Sequence, residues 1–162
     1  MCLIGSELFE INQKDGGDYL TYKSYTVQKI QNIDNVGENY RVLDKNDVLV
    51  YEALEQFNYF YGIYENFMFV DDGTGNIRQL LVINLNTRKT IFKVTYTGDV
   101  NLENGQIIFN YPFVTEKPPY KPNCPEEAEK WGDMLGYTEK QIIDLHKNEI
   151  VKTGEISCTY ME

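Results

Sequence analysis

The stretch 77–111, IRQLLVINLNTRKTIFKVTYTGDVNLENGQIIFNY, decides the fold. Leu81, Ile83 and Leu85 recur at every second position, and so do Phe92, Val94 and Tyr96. Val100 and Leu102 follow, then Ile107, Phe109 and Tyr111. A period of two marks half-buried strands. Residues 86–89 (Asn-Thr-Arg-Lys) and the pair Asn104-Gly105 interrupt the runs where hairpin turns belong, and Asn-Gly is a strong hairpin signal. The reading is an antiparallel meander, and the fold class expected for the chain is mainly β, closed as a sandwich or a barrel.

Working outward, residues 1–20 read as polar and loop-like, and 19–30 as one strand carrying Leu20, Tyr22, Tyr25 and Val27. Residues 40–43 and 48–51 form a hairpin pattern across Asp44-Lys45-Asn46-Asp47, and 52–58 suggest a short helical turn. The aromatic run 59–70 reads as one strand, and 71–76 (Asp-Asp-Gly-Thr-Gly-Asn) as a loop, since Gly frees the backbone and Asp and Asn bond their own main chain. All five prolines lie between Pro112 and Pro125, so 111–125 is expected to be an extended, Pro-rich loop. One short helix is expected near 125–135, with Pro125 at its first position, Glu126 and Glu127 at its positive end and Gly136 at its stop. From Thr138 the capping-box pattern favours a helix, but the apolar residues do not share one helical face. The segment also echoes an earlier one. Val82-Ile83-Asn84-Leu85, a turn and Ile91-Phe92-Lys93 parallel Ile142-Ile143-Asp144-Leu145, a turn and Ile150-Val151-Lys152, and both copies later reach Thr-Gly. The tail therefore reads as a final hairpin.

With 162 residues the chain fits a single β-rich domain, 1–162, in which 1–18 could serve as an N-terminal tether. The net charge of −10 argues against nucleic acid and against anionic membrane surfaces, because both need a Lys/Arg footprint. The same charge would steer a basic protein partner. No apolar run of membrane-spanning length is present. Met1 is followed at once by Cys2, the residue that begins a processed exported lipoprotein, so Cys2 is a lipid-anchor candidate and the only expected tie to a membrane. The alternative is an ordinary cytoplasmic start.

The other cysteines are Cys124 and Cys158. No CxxC or Cys/His cluster accompanies them, which argues against zinc. They are either two separate thiols or one disulfide, and with Cys2 lipidated the remaining pair would be even, as an oxidising compartment prefers.

Catalytic groups are sparse. The single histidine, His146, sits in an expected turn, which makes Ser-His-Asp, Cys-His and multi-His metal sites hard to build. No GxxxxGK[ST] or GxGxxG is present, and no cofactor is expected. Asp71, Asp72 and Asn76 are weak calcium candidates through loop oxygens. Asp72 with Asp99 or Glu103 could supply paired carboxyls for glycoside hydrolysis. The aromatics carry more weight. Tyr111, Phe113 and Tyr120, with Lys121, flank or occupy the proline segment, where a stiff loop presents rings at small entropic cost. That segment is the expected binding surface for a protein or a glycan.

Four features together resemble small exported bacterial β-rich proteins of uncharacterised, lipoprotein-like families. They are Asp72-Gly73-Thr74 followed by Arg78, the strand 80–85 with its polar turn, Trp131 among acidic residues, and Cys158 near the end. The resemblance covers the C-terminal half and implies export to the bacterial envelope or periplasm and a Cys124–Cys158 bridge, with no activity attached. Size and acidity are also similar to periplasmic lysozyme inhibitors and secretion-system immunity proteins. The function expected is a non-enzymatic exported protein that recognises a protein partner, as an inhibitor or immunity-type protein. The alternatives are a carbohydrate-binding module or weak glycosidase, and a structural envelope domain.

Overall fold

Strand follows strand in chain order with no crossover, as short polar turns between period-two runs require. The computed structural model describes residues 7–14, 17–30, 36–54, 57–114, 118, 122 and 124–160. A five-stranded sheet contains β1 (Leu8–Lys14), β2 (Gly17–Tyr22), β3 (Tyr25–Ile30), β4 (Asn39–Asp44) and β5 (Leu49–Ala53), in that order. A seven-stranded sheet contains β6 (Asn58–Tyr64), β7 (Phe67–Asp72), β8 (Ile77–Asn84), β9 (Lys89–Glu103), β10 (Gln106–Val114), β11 (Leu135–Asp144) and β12 (Glu149–Tyr160). The chain is mainly β and antiparallel, as expected. It divides into two compact units, Met1–Gly73 with Gln79–Lys93, and Thr74–Arg78 with Val94–Glu162.

In the first unit the five-stranded sheet packs on strands of the other sheet as a sandwich. Leu20, Tyr22, Val27, Tyr40, Val42 and Ala53 meet Phe60, Ile63, Met68, Val70, Ile83 and Leu85 in one buried cluster. Each such side chain contributes about 1.5–3 kcal/mol by leaving water. Phe60 stands edge-on to Tyr22 (centroids 6.0 Å apart) and to Tyr40 (5.5 Å). Phe69, Leu80 and Val82 are buried too, although they alternate with Met68, Val70, Leu81 and Ile83 of that cluster. Strands buried on both faces carry apolar residues between the alternating ones as well, as 67–70 and 80–83 do.

Glu38 joins the two sheets of this unit. Its N–H donates to the Asn58 carbonyl (2.8 Å) and its Oε2 accepts the Phe60 N–H (3.0 Å). Its Oε1 lies 2.6 Å from Lys29 Nζ on β3. The buried Tyr40 hydroxyl donates to Asn58 Oδ1 (3.3 Å). Burial, with smaller contributions from Tyr51 and the Glu38 charge, pushes the Tyr40 phenol well above its ordinary value, so it remains a donor. Glu7 serves the same strand: its N–H donates to the Ile63 carbonyl (2.9 Å) and its Oε2 accepts the Glu65 N–H (2.9 Å). The outer edge of β6 is thereby occupied by two glutamates.

In the second unit Tyr96, Val100, Leu102, Ile107, Phe109, Ile143 and Leu145 are buried. The Arg78 guanidinium lies 4.9 Å over the Tyr96 ring and donates to the Gly98 carbonyl (3.3 Å). Gly98 (φ 70°) and Gly154 (φ 73°) each sit where the pairing register shifts, in β9 and β12. Both belong to Thr-Gly pairs, and glycine is needed there for the positive φ. Pro112 lacks a donor, and the β10–β11 register shifts between Tyr111 and Val114 around it.

The sequence echo is structural. Asn84 Oδ1 accepts the N–H groups of Asn86 (3.0 Å) and Thr87 (3.1 Å), and Arg88 closes the turn at φ 57°. Asp144 Oδ1 accepts those of His146 (3.1 Å) and Lys147 (3.0 Å), and Asn148 closes at φ 55°. Leu85 and Leu145 are buried, and each donates its N–H into another hairpin turn of its own unit, to the Asn66 carbonyl of the β6–β7 turn (2.8 Å) and the Gly105 carbonyl of the β9–β10 turn (3.0 Å). The tail is thus the expected hairpin.

Several expectations change. Residues 8–14 and 17–20 are strands, because β1 is an edge strand whose Phe9 and Ile11 stay exposed and so show no burial pattern. Residues 19–30 and 59–70 are each a hairpin. Their turns, Lys23-Ser24 and Glu65-Asn66, lack glycine, and Glu65 takes φ 51°. Residues 49–53 continue as strand. The short helix expected near 125–135 takes the form of two 3-10 turns, Glu126–Lys130 and Gly132–Met134, and Gly136 lies within β11 rather than stopping the helix. Pro125 is extended and precedes the first turn, so no side chain caps it.

Replacing Glu38 by Ala strands the buried Phe60 N–H and unpairs Lys29. Unfolding by urea should show a loss of about 1–3 kcal/mol, and an unchanged midpoint would disprove the joining role. The turns predict an acid response. Hydrogen bonds from Val48 and Asn46 hold the Asp44 carboxyl below its ordinary value, and those from Lys147 and Gln106, with the Lys147 charge, do so for Asp144. A lowered carboxyl stabilises above its unfolded value of 3.8 and loses that stabilisation as pH falls through the folded value. Amide protection at Val48, His146 and Lys147 should therefore persist at pH 5 to 7 and weaken first in acid below about pH 4, as read by hydrogen exchange.

Candidate functional site: a cleft beside the disulfide

Directly opposed residues of an antiparallel pair share a face. On β11 and β12 the pairs Leu135–Tyr160, Tyr137–Cys158 and Glu139–Ile156 therefore fall on one face. On β10, Tyr111 opposes Glu139 and Val114 opposes Tyr137, which adds both to it. Cys158 is bonded to Cys124, with their α-carbons 4.8 Å apart. The bond holds the chain segment after β10 against this face.

The result is a cleft of about 480 Å³. Leu135, Tyr137 and the disulfide line it, with Pro122 and Pro125 beside them and Glu126 and Glu129 among the same lining groups. The first 3-10 turn is anchored by the buried Ala128, whose carbonyl accepts the Trp131 N–H (3.1 Å). That leaves Glu126, Glu127 and Glu129 exposed. Trp131 stands edge-on to Tyr160 (6.0 Å), and Tyr111 to Phe113 (5.7 Å). Phe113, Met134 and Tyr160 are each nearly half exposed. Chemically the cleft can accept an apolar or aromatic side chain and place a neighbouring cation against carboxylates and ring faces.

Tyr111 and Phe113 lie at the end of strand β10 rather than in a loop. Tyr120 and Lys121, and the anchor candidate Cys2, lie outside the described residues. Asp71 and Asp72 are consecutive on β7, so their side chains go to opposite faces, and Asp71 is buried. Among the described residues no three His, Cys, Asp or Glu side chains gather as a metal site. Asp99 is exposed on the β9 bulge and Glu103 is exposed beside the β9–β10 turn, and none of Asp72, Asp99 and Glu103 lines the cleft. His146 is an exposed turn residue whose ring packs on Gly105. Leu135, Tyr137, Trp131 and Tyr160 were not singled out as site residues. The available signal was the period-two run Leu135-Tyr137-Glu139, masked by the helix pattern that precedes it. Comparison with protein-family models, curated proteins and solved structures finds no match for this chain.

Reduction should release the segment that walls the cleft. Closing 34 residues of chain corresponds to about 3–4 kcal/mol in the chain-entropy model. Unfolding with and without reductant should differ by that amount, and emission from Trp131, the only tryptophan, should shift to the red. Identical midpoints and spectra would show that the bridge holds nothing.

Proposed function

We propose that this chain is a non-enzymatic, exported binding protein that recognises a basic protein partner, as an inhibitor or immunity-type protein does. The observation that carries the reading is the disulfide-held cleft, where Leu135 and Tyr137 share one lining with Glu126 and Glu129. An apolar pocket beside carboxylates selects a Lys or Arg next to an aliphatic or aromatic residue, and it rejects an acidic segment by repulsion. A stapled wall adds affinity because little ordering remains for the moment of binding. The net charge of −10 supports attraction of such a partner at a distance. A disulfide supports an oxidising compartment.

The test is selection from a displayed random-peptide library on the disulfide-intact protein. Enriched peptides should pair Lys or Arg with an apolar residue. Their affinity should fall at least about tenfold in Glu126→Lys/Glu129→Lys and stay unchanged in the β1 variant Glu10→Lys. Neutral or acidic winners, or equal affinity in both variants, would refute the reading. So would turnover of a peptide or glycan by the pure protein.

A further inference from the structure

Three turns of the first unit carry cationic side chains. Lys23 lies between β2 and β3, Lys45 between β4 and β5, and Arg88 and Lys89 at the β8–β9 turn. Around them is a second cleft of about 330 Å³, lined by Tyr25, Asp44, Lys45, Asn86 and Arg88. Ser24, Val50 and Leu85 complete it.

We propose that this cleft is a binding site for an acidic sugar, a pyranose carrying one carboxylate and several hydroxyls. The size suits one or two sugar rings, at the small end of ligand pockets. Arg88 has no ion-pair partner among the described residues, and its planar fork matches a carboxylate in two hydrogen bonds. Lys45 supplies a second cation from the facing turn. Val50 and the ring of Tyr25, both partly exposed, offer apolar surface to the C–H face of a sugar. The polar groups discriminate further. Asp44 Oδ1 already accepts the N–H groups of Asn46 (2.8 Å) and Val48 (3.0 Å), and these bonds keep the carboxyl ionised. An ionised carboxylate in the lining asks for a donor, which a sugar hydroxyl is. Asn86 Oδ1 and the Tyr25 hydroxyl lie 3.4 Å apart, a long contact that a ligand hydroxyl could replace on both sides. A ligand that is at once anionic and rich in hydroxyls answers all of these groups, whereas a bare anion or a neutral sugar answers only some.

This site is lined by other residues than the cleft beside the disulfide and does not rest on the protein-partner reading. The test is titration of the labelled protein with glucuronate, glucose and inorganic phosphate, followed by amide NMR shifts. Glucuronate should move Tyr25, Lys45, Asn86 and Arg88 with saturation in the millimolar range, and glucose and phosphate should bind at least about tenfold more weakly. Arg88→Asn is the informative variant. Asn148 holds the matching φ in the second turn of this kind, so the substitution keeps the backbone and removes the charge. It should weaken glucuronate at least about tenfold, and Lys45→Gln severalfold. No saturable shift with glucuronate would overturn the proposal. Equal binding of glucose or phosphate, or undiminished binding in Arg88→Asn, would also overturn it.

Discussion

In an antiparallel meander a slip of one residue at any hairpin turns every buried side chain of the next strand toward solvent, so the turns set the whole pattern of burial. This chain fixes them with side-chain oxygens. Asp44, Asn84 and Asp144 each accept two backbone N–H groups of the turn that follows. Positive φ at Asp47, Arg88 and Asn148 then closes each turn. Leu85 and Leu145 add a second lock. Each is buried and hydrogen-bonded to another hairpin turn of its own unit, so two turns hold each other in place.

Strand edges need a comparable solution, because an open row of N–H and C=O groups recruits other chains. At β6 the groups of Asn58, Phe60, Ile63 and Glu65 are taken by Glu38 and Glu7, through both backbone and carboxylate. At β12 the strand is bulged at Gly154 and carries Lys152 and Glu155, and Glu155 pairs with Lys140 at 2.7 Å. Carboxylates thus do structural work in this protein before any functional work, which accounts for part of its acidity.

The β-meander was legible because β8 to β10 combine apolar residues at every second position with Asn-rich turns. The final hairpin was legible because it repeats that pattern. Elements with weaker local signals were missed for definable reasons. The Lys23-Ser24 and Glu65-Asn66 turns carry no glycine or proline, so two hairpins read as single long strands. β1 exposes Phe9 and Ile11, so burial leaves no imprint on its sequence. The 3-10 turns borrowed helix signals, Pro125 and the acidic run, but only Ala128 among them is buried, too little apolar surface to hold a longer helix. Of the candidate site, the rings Tyr111 and Phe113 and the cysteines were visible. The cleft was not, because Leu135 and Tyr137 are brought to the Cys158 strand by register, a property of pairing that one strand's composition does not encode.

The shifted proton affinities also bear on what kind of site this chain builds. Catalytic centres push acids and bases apart by burial and neighbouring charge. Here Asp44 and Asp144 are lowered by turn hydrogen bonds, and Tyr40 and Tyr51 are raised by burial in the core. What the clefts offer is shape held in place: a disulfide and prolines in one, two locked turns in the other. Rigid surfaces of mixed apolar and charged character gain affinity by losing little freedom on contact. With titratable groups committed to register and edges, the clefts are left with fixed side chains and charges, which is what the proposed recognition role requires.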